Sequence, residues 1–169
     1  MDIEDKITPK LYQFLATAME IVNADKGNVQ FFDEEENSLK VVAHIGFNDE
    51  FLQTFKSVIP GHCACGVAMK TRERVVVEDT SQDPSFASIG STLKRFGYAA
   101  VQSTPLFDEN ERFFGVISTH FNAPHRPSSN ELGQLDRYLF QAAALIARKL
   151  RETPPAGFKS DERFQKPRV

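Results

Sequence analysis

Apolar residues recur at Leu11, Phe14, Leu15, Ala18, Met19 and Val22. Steps of three and four put them on one face of a helix. Thr8 and Pro9 stand where such a helix can begin, Thr as the cap and Pro at the first helical position, and Gly27 can close it. Residues 28–33 and 39–45 then read as two strands joined by a charged turn, a hairpin. The run Gly46-Phe47-Asn48-Asp49 breaks the sheet, and Asn48 or Asp49 can cap a short helix carrying Phe51, Leu52 and Phe55. Residues 59–66 read as a loop feeding a short helix through Met69. A short strand at 74–77, a polar loop at 78–88 and a short helix at 92–96, stopped by Gly97, follow. Residues 98–107 and 113–121 are strong strands with a hairpin turn between them. Ser128 and Glu131 have the spacing of a capping box, and Leu132, Leu135, Leu139, Ala142, Ala143, Ile146 and Leu150 continue as a helical stripe.

This order predicts an α+β fold with a central antiparallel sheet of five or six strands. The terminal helices pack on one face, and loops and short helices form a pocket on the other. One domain spans residues 1–151, and residues 152–169, with Pro154 and Pro155 at their start, read as a tail or linker.

Composition adds limits. A chain of 169 residues buries a sizeable core without disulfides or a metal. The aromatic content is lopsided, with Phe 15, Tyr 3 and Trp 0, so most rings should line a core or an apolar cavity. Residues 151–169 carry a formal charge of +2 and the remainder −5, an acidic body that argues against nucleic acid as the main partner. No apolar run has the length of a membrane helix, and two cysteines one residue apart make no disulfide framework. A cytoplasmic protein with reduced thiols is the expectation.

The order of elements and several motifs resemble the GAF domains of bacterial signalling proteins. Ala24-Asp25-Lys26-Gly27-Asn28-Val29-Gln30 and Ala43-His44-Ile45-Gly46-Phe47 carry the resemblance in the first hairpin. Cys65-Gly66-Val67-Ala68, Arg74-Val75-Val76-Val77-Glu78-Asp79 and Asp83-Pro84-Ser85-Phe86 continue it. Val101-Gln102-Ser103-Thr104-Pro105-Leu106, Gly115-Val116-Ile117-Ser118-Thr119-His120-Phe121 and Pro124-His125-Arg126-Pro127-Ser128 complete it. The resemblance is closest to the modules of two-component sensors. It implies a non-catalytic sensory domain that binds a small molecule, pairs with a second copy through its terminal helices, and signals to a histidine kinase or another output protein. The small residues Ala142, Ala143, Ala144 and Ala147 suit such helix pairing, and a core helix equally well. A ligand-free dimerisation module is a further alternative.

The candidate pocket residues are polar groups on apolar strands. Gln102 and Thr104 share one strand face, Ser118 and His120 share a face of the next, and Gln30 lies on the first strand. A buried side-chain amide left unpaired costs about 1–3 kcal/mol, so these groups must bond a ligand, one another or the covering loops. Phe32, Phe51, Phe86, Phe96 and Tyr98 supply an apolar wall, and His44, His62, Cys65 and Asp79 are further candidates from the second strand and the loops.

Other chemistries fit less well. His62, Cys63 and Cys65 crowd within four residues, poor spacing for zinc, and His44 completes a set only if the fold brings it near. Haem would need His44 or His120 as ligand. Bilin-binding relatives carry Cys followed by His, whereas His62-Cys63 is reversed. The cyclic-nucleotide pattern of phosphodiesterase GAF domains is missing. No cofactor is required. An enzymatic alternative comes from GAF domains that reduce free methionine sulfoxide, with Cys65 attacking and Cys63 resolving. The cysteines such enzymes carry before the next strand are absent between Ser81 and Tyr98.

Overall fold

The computed structural model describes residues 4–87 and 94–152. Helix α1 (Glu4–Val22) lays its predicted stripe on the sheet. It begins ahead of Thr8, so Pro9 lies inside the helix and not at its first position. Near an N-terminus proline sacrifices one hydrogen bond, while its fixed φ remains helical. The helix is closed by Asn23 and not by Gly27. Asn23 is left-handed at φ 51°. Its N–H donates to Glu20 O at 3.2 Å, and Ala24 N–H donates to Met19 O at 2.9 Å. These paired bonds satisfy the last carbonyls of the helix.

Gly27 instead belongs to β1 (Lys26–Asp33), which pairs with β2 (Ser38–Ile45) as the expected hairpin. The other strands are β3 (Val75–Val77), β4 (Ala100–Phe107) and β5 (Phe113–Phe121). All pairings are antiparallel and the order is β2-β1-β5-β4-β3. β4 starts two residues later than the apolar pattern predicts, which leaves Tyr98 in the segment that covers the sheet. Two short helices lie in the crossover from β2 to β3: α2 (Asp49–Thr54) and α3 (Cys63–Thr71). Asn48 caps α2 by accepting from Phe51 N–H at 3.0 Å. The final helix, α4 (Ser129–Glu152), has its capping box formed: Glu131 N–H donates to Ser128 Oγ, and Ser128 N–H donates to Glu131 Oε2. Residues 94–96 are helical, as expected; Thr92, Ser88 and all but the first residue of the expected tail lie outside the described residues.

The sheet separates two apolar cores. On one face α1 and α4 cover Val29, Phe31, Ala43, Leu106, Ile117 and Phe121. On the other, α2, α3 and the following loops bring Phe51, Phe55, Ala68, Met69, Phe86 and Phe96 onto Val101 and Val116. The phenylalanines divide accordingly, with Phe14 in the helix core and Phe51, Phe86 and Phe96 in the loop core.

The β4–β5 turn is fastened to the end of α4. The buried Asp108 carboxylate accepts from Asn110 N–H at 2.8 Å and Arg112 N–H at 2.9 Å. It also pairs with Arg112 Nε at 3.0 Å and Arg151 Nη1 at 3.4 Å, and Arg151 reaches Glu109 as well. Removing the acceptor strands two turn amides and two guanidinium contacts. Asp108→Ala is therefore expected to cost about 2–3 kcal/mol, read as a lower urea midpoint, with Asp108→Asn recovering part of it.

Candidate functional site

Strands β1, β5 and β4 are neighbours, and their register builds a polar floor facing the loop core. Asn28 lies opposite Ser118, Ser118 opposite Ser103, and His120 opposite Val101. Gln30 shares the face of Asn28 by the two-residue period. Phe51 and Phe55, Phe86, Tyr98 and the first turn of α3 with Cys63, Ala64 and Cys65 roof this floor. The cavity between them is about 20 Å³, room for one or two water molecules.

The roof comes close because of Gly66. A Cβ there would stand 2.5 Å from Ile59 O, so glycine lets the preceding loop lie on α3. Gly66 O accepts from Gly61 N–H at 2.8 Å across that approach. Cys63, at the edge of the cavity, is held left-handed at φ 56°, a conformation that costs a residue with a Cβ about 1–2 kcal/mol.

Several floor groups have no partner. Asn28 Oδ1, Gln30 Oε1 and His120 Nδ1 make no hydrogen bond, although their residues are 3%, 1% and 4% exposed. Ser103 and Ser118 satisfy each other at 2.8 Å. Gln30 and Cys65 line the same cavity, and the Gln30 side chain offsets a small part of the burial of that thiol. Electrostatically the cavity is neutral. Burial, and then the charge of Lys26, lowers His120 to about 3, so its ring is uncharged. That ring sits edge-on to Phe47 at 4.9 Å and Tyr98 at 4.6 Å. Burial, and then Cys63, pushes Cys65 up to about 12, and burial raises Cys63 too, so both thiols stay protonated. The Tyr98 phenol is likewise raised by burial, then by the two cysteines.

Of the residues singled out from sequence, Gln30, Phe51, Cys65, Phe86, Tyr98, Ser118 and His120 meet at the cavity, with Cys63. Gln102 and Thr104 do not. Because Ser103 pairs with Ser118, these two point to the helix face, opposite Thr119 and Ile117. Thr104 accepts from Arg74 Nε at 3.0 Å, and Arg74 pairs with Asp136 of α4. Phe96 stands behind the roof, its ring 5.3 Å from Phe51 and 5.9 Å from Phe55. Phe32 lies farther along β1, 5.5 Å from Phe113, whose ring carries the Arg72 guanidinium at 3.7 Å. His44 lies opposite Asn28 on β2, outside the cavity lining. His62 is exposed at the start of α3. Asp79 accepts from Ser81 N–H at 2.9 Å in its own loop, and lines a separate outer groove of about 700 Å³ with Asp83, Lys94 and Pro124. Phe86 and Tyr98 line both spaces and form the partition between them. Asn28, Phe55, Ala64, Val101 and Ser103 complete the lining and were not anticipated; two-residue spacing from Gln30 would have found Asn28.

Gln102 is itself an orphan, with Oε1 and Nε2 both unpartnered at 3% exposure beside the unpartnered Thr119 hydroxyl. An apolar side chain removes that desolvation penalty. Gln102→Leu is expected to raise stability by about 1 kcal/mol, seen as a higher urea midpoint at unchanged slope.

A five-stranded antiparallel sheet with paired terminal helices on one face and a roofed cavity on the other defines an α+β domain built around an internal site. The family model described as "GAF domain" matches residues 11–147, and the chain belongs to that family. No curated protein sequence matches it. Among solved structures it is similar to a domain described as that of a two-component sensor histidine kinase from Sinorhizobium meliloti 1021, at 19% identity and TM-score 0.66, covering 88% of this chain and 94% of that one. The GAF domain of a phosphoenolpyruvate-protein phosphotransferase from Coxiella burnetii is similar at 15% identity and TM-score 0.67, covering 92% and 86%. So is a type II free methionine-R-sulfoxide reductase from Thermoplasma acidophilum, at 17% identity and TM-score 0.67, covering 88% and 96%. Among the described residues no helix is long and apolar enough to cross a membrane, and no three His, Cys, Asp or Glu side chains form a metal-binding group.

Proposed function

We propose that this GAF domain is a non-catalytic sensory module that binds a small molecule between the sheet and α3. The observation that carries this reading is the convergence of Asn28 Oδ1, Gln30 Oε1 and His120 Nδ1, buried and unpartnered, on one cavity. Natural cores satisfy such groups, and a ligand is the partner that would do so here. The signal would leave through α1 and α4 to an output protein such as a histidine kinase, a role in keeping with the Sinorhizobium relative. Phe140 and Leu145 stand 84% and 55% exposed on α4, which supports pairing with a second copy there. The free cysteines accord with a cytoplasmic setting.

The test is a thermal-shift and native mass spectrometry screen of nucleotides, amino acids and aromatic compounds. A ligand whose binding is lost in Gln30→Leu establishes the reading, and a screen with no binder to the wild type refutes it. A dimer by light scattering that dissociates in Phe140→Glu supports the helix pairing; a monomer removes it. The reductase reading rests on Cys63 and Cys65 sharing the cavity wall and on the Thermoplasma relative. Protonated thiols are poor nucleophiles, which weighs against it. Turnover of free methionine sulfoxide in the presence of dithiothreitol, abolished by Cys65→Ser, would replace the sensor reading.

A further inference from the structure

The charge and hydrogen-bonding character of the cavity narrow what it can accept. None of its lining residues carries a charge: Asn28, Gln30, Ser103 and Ser118 are neutral polar groups, and the remainder are rings, thiols, His120 and small apolar residues. Burial keeps His120 uncharged and both thiols protonated. Lys26, whose charge His120 feels, is tied at the surface by Gly97 O and Asn122 Oδ1. A carboxylate or phosphate entering here would lose its hydration and meet no counter-charge.

Asn28 Oδ1 and Gln30 Oε1 are the fully buried ends of the two amides and have no partner. An oxygen of that kind accepts and cannot donate, so the ligand must bring an N–H or O–H. Size is limiting as well, because about 20 Å³ takes only a head group. The body of a larger ligand needs the place of a wall ring. Phe86, which with Tyr98 lines both spaces, opens the cavity to the outer groove when displaced. It stands on a three-residue turn, Pro84–Phe86, held by the Asp83 side chain accepting from Ser85 N–H at 2.8 Å.

We propose that the cavity selects neutral, ring-sized ligands that donate a hydrogen bond to Asn28 Oδ1 and Gln30 Oε1, with the ring taking the place of Phe86, and that it refuses ionised ones. This rests on the sensory reading and narrows it to a chemical class.

Three probes of one ring size separate the possibilities: phenol, a neutral donor; toluene, neutral without a donor; and benzoate, an anion. Each is titrated by ligand-observed NMR and thermal shift against the wild type, Phe86→Ala and Phe86→Leu, with Gln30→Leu as the control in each background. Phenol is expected to bind about tenfold more tightly than toluene or benzoate, and to lose that advantage in Gln30→Leu. Phe86→Ala, or Phe86→Leu if the alanine variant folds poorly, tightens phenol further while preserving the order. Equal binding of phenol and toluene overturns the role of the amide oxygens. Benzoate binding as well as phenol overturns the neutral class but leaves a sensor in place. Phenol binding to none of the proteins overturns this proposal, and the sensory reading falls with it only if the broader screen is also empty.

Discussion

Replacing Gly115 with alanine is expected to leave the domain largely unfolded at physiological temperature. Gly115 lies in β5 opposite Phe31 of β1, at the centre of the sheet. A Cβ at this position would stand 2.2 Å from Gln30 O and 3.3 Å from Phe31 Cα. These are backbone atoms of a strand paired on both sides, so no rotamer change relieves the clash. The two central strands must separate, with loss of ladder bonds and of the packing of Phe31, which is fully buried on the helix side. Overpacking of this kind costs about 3 kcal/mol or more, a large share of a domain's total stability. Circular dichroism melting should show a transition lowered by more than ten degrees, or none. A variant melting like the wild type would mean that the two strands are farther apart than described.

The second large effect is acid sensitivity. Unfolded, the His120 imidazole titrates near its ordinary value of about 6.5. In the fold, burial first and Lys26 second hold it neutral down to about 3. Between those values the unfolded chain binds a proton that the folded chain does not, so lowering the pH favours unfolding. Stability is fully present above about pH 6.5 and falls by about 1.4 kcal/mol per pH unit as the pH drops toward 3. Urea midpoints measured at half-unit steps between pH 7 and 4.5 should trace that slope, and His120→Asn should flatten it. The window matters, because the carboxylates held below their usual range, Asp79, Glu131 and Glu152, begin to contribute only at lower pH. A slope that survives the substitution would assign the acid sensitivity elsewhere.

The features readable in the sequence were those governed by local rules. The α1 stripe, the α4 stripe and the Ser128–Glu131 capping box all rest on spacings within a few residues, and all appear as expected. Helix boundaries were less legible, because two residues competed for one role. Gly27 is the better left-handed residue in isolation, yet Asn23 takes that conformation and Gly27 enters β1 under α1. Gln102 and Thr104 illustrate a different limit. Their mutual spacing is readable from one strand, but the face they take depends on the register with β5, a long-range property that no single strand contains. Asn28 was hidden for the opposite reason. It opens the expected strand two residues before Gln30, a local spacing left unused, and it is the third unpartnered member of the cavity floor. The polar groups of the site were visible as anomalies in apolar strands, whereas their convergence required the order of β1, β5 and β4.

The Asp108 cluster ties the last turn of α4 to the turn between β4 and β5. Mechanically, this sets the route by which load enters the domain. Tension applied beyond Glu152 would not peel α4 away one turn at a time from its end. It would pass through Arg151 into the hairpin and load β4 and β5 along their length, where many hydrogen bonds share the force. The same two strands carry Ser103, Ser118 and His120. The end of the helix and the floor of the cavity are thus joined through one hairpin.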